Sequence, residues 1–173
     1  MELFDAIYGR KCYRKYLPKD VEQEQIEQII KAAAQAPSAG NLQPWDFIVT
    51  RKKELKEEIM KIARNQKFVL EAPVLITVCA NTKESSSVYG TRGKELYCLQ
   101  DTAAAMQNIL LSVYALGLGA CWVGEFDEQK LRSILKIPDF IRPVAIISIG
   151  HPAEDVEKPQ RDDWQGFTHQ ETF

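Results

Sequence analysis

In 173 residues the chain sets 22 lysines and arginines against 24 acids, a formal net charge of −2, so no bulk field draws it to nucleic acid or a membrane surface. A 45% hydrophobic content over that length suits one domain with a real core. Two histidines are too few for zinc-ligand spacing, and the four cysteines (Cys12, Cys79, Cys98, Cys121), none in a C-x-x-C pair, read as reduced thiols of a cytoplasmic protein rather than a disulfide framework.

Along the chain, "MELFDAIYGRK" lacks the apolar core of a signal peptide and reads as a short helix over about 2–9. Asp20, with Gln23 three residues on, has the form of a capping box, and Ile26, Ile29, Ile30 and Ala33 give an amphipathic stripe. That helix must stop near Ala36, because Pro37 restricts the residue before it. Phe47–Thr50 is β-rich, and Leu55, Ile59 and Ile62 mark a further helix. "APVLITVCA" at 72–80 is a continuous apolar run opened by proline, as in a strand buried on both faces. Residues 81–94, polar and rich in glycine and serine, read as a loop.

A central helix follows from about Lys94 to Leu116. The stretch 102–124 approaches membrane-span length, but Gln107, Asn108 and Ser112 interrupt it and Gly117 and Gly119 break it, so a buried helix, a turn and a strand are expected. Asp127 caps a helix with Leu131, Ile134 and Leu135 on one face, ending near Pro138, and "PVAIISIG" at 143–150 is the last strand. The tail, 151–173, has no helical period, yet its Trp164 and Phe167 imply packing against something, such as another subunit. The order of elements suits a layered α+β or α/β domain with helices covering a mixed sheet.

Three segments could carry chemistry. "GRKCYRKY" places Arg10, Lys11, Arg14 and Lys15 within six residues, and Lys158 and Arg161 form a second cationic cluster at the far end of the chain. Together they could hold one phosphate; separately each is a solvated basic stretch. "APSAGNLQPW" stops a helix with Ser38, Asn41 and Gln43, neutral groups that suit a heteroaromatic ligand or an ordinary loop with Trp45 as anchor. In "CWVGEFDE", a strand, a glycine and a capped helix succeed one another, a turn whose backbone N–H groups could face a ligand atom that gains negative charge. No serine elbow, dinucleotide fingerprint or Walker loop is present, and His151 in "GHP" reads as a turn residue.

Taken together, in order and over nearly the whole chain, these segments resemble the nitroreductase family of flavin mononucleotide (FMN) oxidoreductases. "AIYGRKCYRKYLP" resembles its R-R-S-x-R phosphate motif, "AAAQAPSAGNLQPWDFIV" its P-S-x-x-N-x-Q-P-W segment, and "APVLITVCA" its central strand. "LYCLQDTAAAMQNILLSVYALGLGACWVGEFDE" resembles its long dimer helix and the turn under the flavin, and "IGHPAEDVEKPQR" its closing segment. The resemblance implies an α+β three-layer α-β-α sandwich with a mixed, mainly antiparallel sheet over 1–173, an intertwined homodimer, and two FMN at the interface.

By the same resemblance, Arg10, Lys11, Cys12 and Arg14 hold phosphate and ribityl, Lys158 and Arg161 complete that site, and Pro37, Ser38, Ala39, Asn41 and Gln43 approach the flavin ring from the partner chain. Trp122, Val123, Gly124 and Glu125 contact the ring, the last two presenting N–H groups to it, and Asn65 or Gln66 reaches its pyrimidine edge. The implied reaction is ping-pong, with NAD(P)H as donor and a nitroaromatic, quinone or similar small acceptor; flavin carries the chemistry and no catalytic side chain is needed. Rival readings keep the fold but assign reductive dehalogenation, flavin breakdown, or flavin storage without catalysis. The chain departs from the family pattern at Cys12, where serine is usual, and at 81–94, where many relatives carry a longer helical lid.

Overall fold

The computed structural model describes residues 1–173. Four strands form one sheet in the order β1-β2-β4-β3: β1 is Trp45–Thr50, β2 Val74–Asn81, β3 Gly119–Val123 and β4 Ile141–Gly150. Every ladder is antiparallel. The one parallel pairing is an isolated bridge between Cys12 and Ala120, so the expected mixed sheet is antiparallel in its four strands. β2 and β4 lie at the centre, and their runs are apolar because both sheet faces are covered.

The faces divide by alternation. Val74, Ile76, Val78, Ala145, Ile147 and Ile149 pack on α2 (Gln23–Ala33) and α6 (Cys98–Ala115), through Ile26, Ile29, Met106, Ile109 and Val113. On the other face Leu75, Cys121, Val123 and Ile146 pack on α3 (Lys53–Ile62), α4 (Lys67–Glu71) and α7 (Glu128–Leu135), through Ile59, Phe68, Val69 and Leu131. This is the three-layer α-β-α arrangement, and period-2 alternation in the strands produces it. No helix is long and apolar enough to cross a membrane. Cys79, Cys98 and Cys121 are buried and Cys12 is exposed, all as free thiols.

Several boundaries differ from the sequence reading. α2 is capped by Glu22, which exchanges bonds with Gln25, and not by Asp20, whose carboxylate is held by Arg51 at 2.6 Å and by the Val21 N–H. α2 closes at Ala33, a few residues before the proline. The largest correction is 81–94: residues Thr82–Arg92 form a helix, α5, followed by a wide π-type turn over Gly93–Tyr97 that leads into α6. Asn81 caps α5 by accepting from the Glu84 N–H at 3.0 Å, and the Ser86 and Ser87 hydroxyls donate back to the carbonyls of Lys83 and Glu84. Ser86 and Ser87 therefore satisfy themselves within the helix, whereas the Ser85 hydroxyl is buried without a partner. α1 (Leu3–Gly9) lies against α6 at Tyr114, with Leu3, Phe4 and Tyr8 exposed.

Candidate functional site

The basic segment after α1 is tied down by strand β3. Cys12 bridges to Ala120, and the Tyr13 N–H donates to the Ala120 carbonyl at 2.9 Å. This puts the cations beside the sheet edge and sorts them. Lys11 pairs with Asp155 at 2.6 Å and Lys15 with Glu154 at 2.8 Å, whereas Arg10 and Arg14 have no carboxylate within 4 Å. Arg14 instead lies over the Phe68 ring, 5.8 Å from its centroid. Lys158 returns from the tail to donate to the Tyr8 carbonyl, next to Arg10. Partial loss of water, then the charges of Arg10 and Arg161, lower the Lys158 pKa. Three uncompensated cations, Arg10, Lys158 and Arg161, thus gather from opposite ends of the chain, and an anion between them would relieve their repulsion. A cleft of about 320 Å³ opens between this segment and the tail, with Cys12, Arg14 and Pro159 on its wall.

The turn after β3 is open. Trp122 and Glu125 are exposed, Gly124 is exposed, and Val123 is buried in the core. The N–H groups of Gly124 and Glu125 donate to no acceptor within the chain. The Glu125 carboxylate is held aside by Arg64, which donates to it at 2.7 and 3.0 Å. Arg64 and Asn65 both adopt left-handed backbone, and the Gln66 amide donates to the Ala63 carbonyl at 3.0 Å, which leaves its oxygen free. Trp122 overlooks a groove of about 270 Å³ shared with Thr102 and Met106 of α6.

The segment Pro37–Gln43 is a compact turn held from below. Ser38 Oγ accepts from the Gln43 N–H at 2.9 Å, and the Ala39 N–H donates to Asp101 Oδ1 at 3.1 Å. Gly40, Asn41 and Gln43 have positive φ, and a side chain at Gly40 would collide with Tyr89 of α5. Left-handed residues turn the exposed Asn41 and Gln43 amides outward, while Ser38 is committed to its own loop.

This loop feeds β1, at one sheet edge, and the Gly124 turn leaves β3 at the other. Three strand spacings separate them, about 14 Å. One chain therefore joins the basic segment to the β3 turn but keeps the Ser38 loop apart.

Sequence reasoning missed Asp101. It lies on α6, is 7% exposed, and its Oδ2 has no partner; burial raises its pKa against the pull of the Ala39 N–H. Its signal was available, because it is the lone charge between Leu96 and Gly124. Asp101→Leu should release the turn, speeding amide hydrogen exchange at Ala39 by about 10- to 100-fold, the worth of a hydrogen bond to a charged group of roughly 1.5–3 kcal/mol. Asp101→Asn, which keeps an acceptor, should exchange near the wild-type rate in the same mass-spectrometric measurement.

A family model described as "Nitroreductase family" matches residues 7–66 and 60–151. A protein of Archaeoglobus fulgidus is 36% identical over 166 residues, 94% of this chain and 92% of its own length. The FMN reductase [NAD(P)H] of Bacillus subtilis is 30% identical over 185 residues, 99% of this chain and 74% of its own. The crystal structure of a nitroreductase family protein from Clostridium novyi NT is 36% identical with a TM-score of 0.81, over 89% of this chain and 87% of that one.

Proposed function

Since this chain belongs to the nitroreductase family, we propose that it is an FMN-dependent oxidoreductase that draws electrons from NAD(P)H and works as a homodimer in the cytoplasm. The observation that carries this reading is the meeting of Lys158 with Arg10, beside Arg14: cations without acidic partners, ready for a phosphate. The residues present fit the coenzyme. Arg10, Arg14, Lys158 and Arg161 offer charge for its phosphate, and the unspent N–H groups of Gly124 and Glu125 suit a ring edge. The Gln66 side-chain oxygen, left free while the amide N–H donates to Ala63, suits a ring N–H. Lys11 is spent on Asp155 and stiffens the segment rather than binding. Cys12 offers only a weak donor where a hydroxyl is usual.

Bound there, FMN would supply the redox chemistry, hydride transfer between NAD(P)H and a nitroaromatic, a quinone or a similar small acceptor. The chain's part is to orient and to polarise. The unspent N–H groups of Gly124 and Glu125 would stabilise charge that develops beside them on reduction; comparable donors in oxyanion sites are worth about 2.7–4 kcal/mol each. No side chain is required to move a proton, in keeping with a turn that carries no free acid or base: Glu125 is engaged by Arg64.

The distance between the two sheet edges supports the dimer. Pro37–Gln43 lies about 14 Å across the sheet from the β3 edge of its own chain, so a second copy would bring Ala39, Asn41 and Gln43 to a ligand there. The exposed apolar groups of α1 (Leu3, Phe4, Tyr8) and of the tail (Trp164, Phe167) are surface such a dimer would cover. The test is the visible spectrum of the purified protein. A flavin band that bleaches within the dead time of manual mixing with NADH or NADPH, and returns when a quinone or nitroaromatic is added, is expected. A colourless protein that takes up no FMN, or a yellow one that neither nucleotide bleaches, rejects the reductase reading.

A further inference from the structure

An acid stands where the proposed chemistry least wants one. Hydride is a proton with two electrons, so a neutral ring that accepts it gains one negative charge. The Gly124–Glu125 turn offers its unspent N–H groups to that charge. Glu125 also brings a negative charge of its own, and a carboxylate on two methylenes cannot move more than a few ångströms from its own N–H. Like charges so close oppose one another, most of all where a bound ligand has displaced water.

Arg64 meets that acid. Its Nε and Nη2 both donate to Glu125 Oε1, at 3.0 and 2.7 Å, and it is the one cation within 4 Å of the carboxylate. The pair is open to water, with 75% of the Arg64 side chain and 67% of the Glu125 side chain exposed, and ion pairs of this kind contribute little to stability. Yet the backbone is bent to make it. Arg64 and Asn65 take consecutive left-handed conformations, φ 56° and 53°, unusual for residues that carry a side chain. The bend is anchored: the Asn65 N–H donates to the Met60 carbonyl at 3.1 Å, and Ala63 is fully buried. It is also tied to the turn, because the Asp127 N–H donates to the Ile62 carbonyl at 3.2 Å. A strained, anchored loop that holds a pair of little worth to stability points to a role at the neighbouring site.

We propose that Arg64 is a positioning residue that sets the redox poise of the flavin site: it turns the Glu125 carboxylate aside and cancels its charge next to the N–H groups of the turn. This role rests on the flavin reading. With Arg64 in place the pair is nearly neutral as seen from the ring, and the N–H groups act unopposed. Without it a lone carboxylate stands beside the turn, disfavours the negatively charged reduced form, and moves the equilibrium toward the oxidised one.

The test is the midpoint potential of the FMN-loaded, full-length protein, read from the flavin band against a reference dye during anaerobic reduction. At a fixed potential, Arg64→Ala should lower the ratio of reduced to oxidised flavin by about tenfold or more, a midpoint lower by about 30 mV or more for two electrons. Arg64→Lys keeps the charge, and Arg64→Ala combined with Glu125→Gln removes both charges, so each should stay within about threefold of the wild-type ratio. Glu125→Gln alone should raise the ratio, because Arg64 is then unopposed. An Arg64→Ala midpoint equal to wild type overturns the proposal. So does an equal fall in Arg64→Ala and in the double variant, which would trace the effect to loop structure and not to charge. If Arg64→Ala folds poorly by circular dichroism, Glu125→Gln carries the test, and a ratio unchanged or lowered there overturns the proposal. FMN uptake is read separately from the same band: a wild-type protein that takes up none rejects the flavin reading and this role with it, whereas a yellow protein with unmoved midpoints rejects this role alone.

Discussion

Replacing Arg10 and Arg14 together by alanine should weaken FMN binding by at least a hundredfold and leave a folded protein. Each guanidinium is free of carboxylates, so its donors are available to a phosphate, and a charge-assisted hydrogen bond is worth about 1.5–3 kcal/mol. Two such losses multiply to roughly 10²–10⁴ in affinity. Little stability goes with them. The main intrachain contact given up is the stacking of Arg14 over Phe68, worth about 0.5–1 kcal/mol at an exposed position. Quenching of flavin fluorescence on titration measures the affinity, and circular dichroism checks the fold. Lys11→Ala is the built-in contrast: its ammonium is committed to Asp155, so affinity should move by less than about threefold. Equal losses in the two variants would mean that charge in general, not the arginine seat, governs binding.

Gly93→Ala should lower the melting temperature by about 4–8 °C, the net of two opposing effects. Gly93 has ordinary helical dihedrals (φ −60°, ψ −50°), so the requirement is for space and not for a special backbone conformation. A methyl there would fall on the backbone carbonyl of Ser85, 2.7 Å from its carbon and 3.0 Å from Tyr89 Cβ. Backbone cannot swing away as a side chain does, so α5 must shift against the turn that leads into α6. Overpacking of this kind costs about 3 kcal/mol, more than the roughly 1 kcal/mol that alanine gains in helix propensity, and each kcal/mol moves the midpoint by about 2–4 °C at this size. The displacement would reach Tyr89, which stands against Gly40 in the Ser38 loop. A thermal melt followed by circular dichroism checks the value; a midpoint within 2 °C of wild type would mean that α5 is free to move.

Most of the sandwich was readable from residues. β2 and β4 stand out because both faces are buried, and α2, α3 and α7 because each packs only one stripe. α5 was not readable. Its sequence "TKESSSVYGTR" has three serines and buries only Ser85, so neither propensity nor period marks it. An asparagine cap and the closeness of Gly93 hold it instead, and a loop assignment followed from composition alone. α4, with five residues, is too short to show a period. At the start of α2 two acidic residues competed for the cap, and the choice fell to Glu22 because Arg51, 31 residues away in sequence, claims Asp20.

The site divides in the same way. The cations of 10–15 were visible as a group, but which of them stay free was not. Asp155 and Glu154 decide that, and they lie some 140 residues downstream. The loop Pro37–Gln43 was legible as a polar helix ending; its support by Asp101, 62 residues further on, shows in the sequence only as a lone acid within an apolar helix. The meeting of Cys12 with Ala120 depends on an isolated bridge that no local pattern encodes.

The junction of Lys158 with Tyr8 has a consequence for how the protein is born. The first helix leaves the ribosome early, yet its lysine clasp emerges 150 residues later, a delay of roughly 8–30 s at ordinary rates of synthesis. On the seat proposed above, the coenzyme's tail would until then have half a landing place, and loading would belong to the finished polypeptide. A ribosome stalled shortly before that lysine would display a nascent product with its sheet formed and no grip on a flavin.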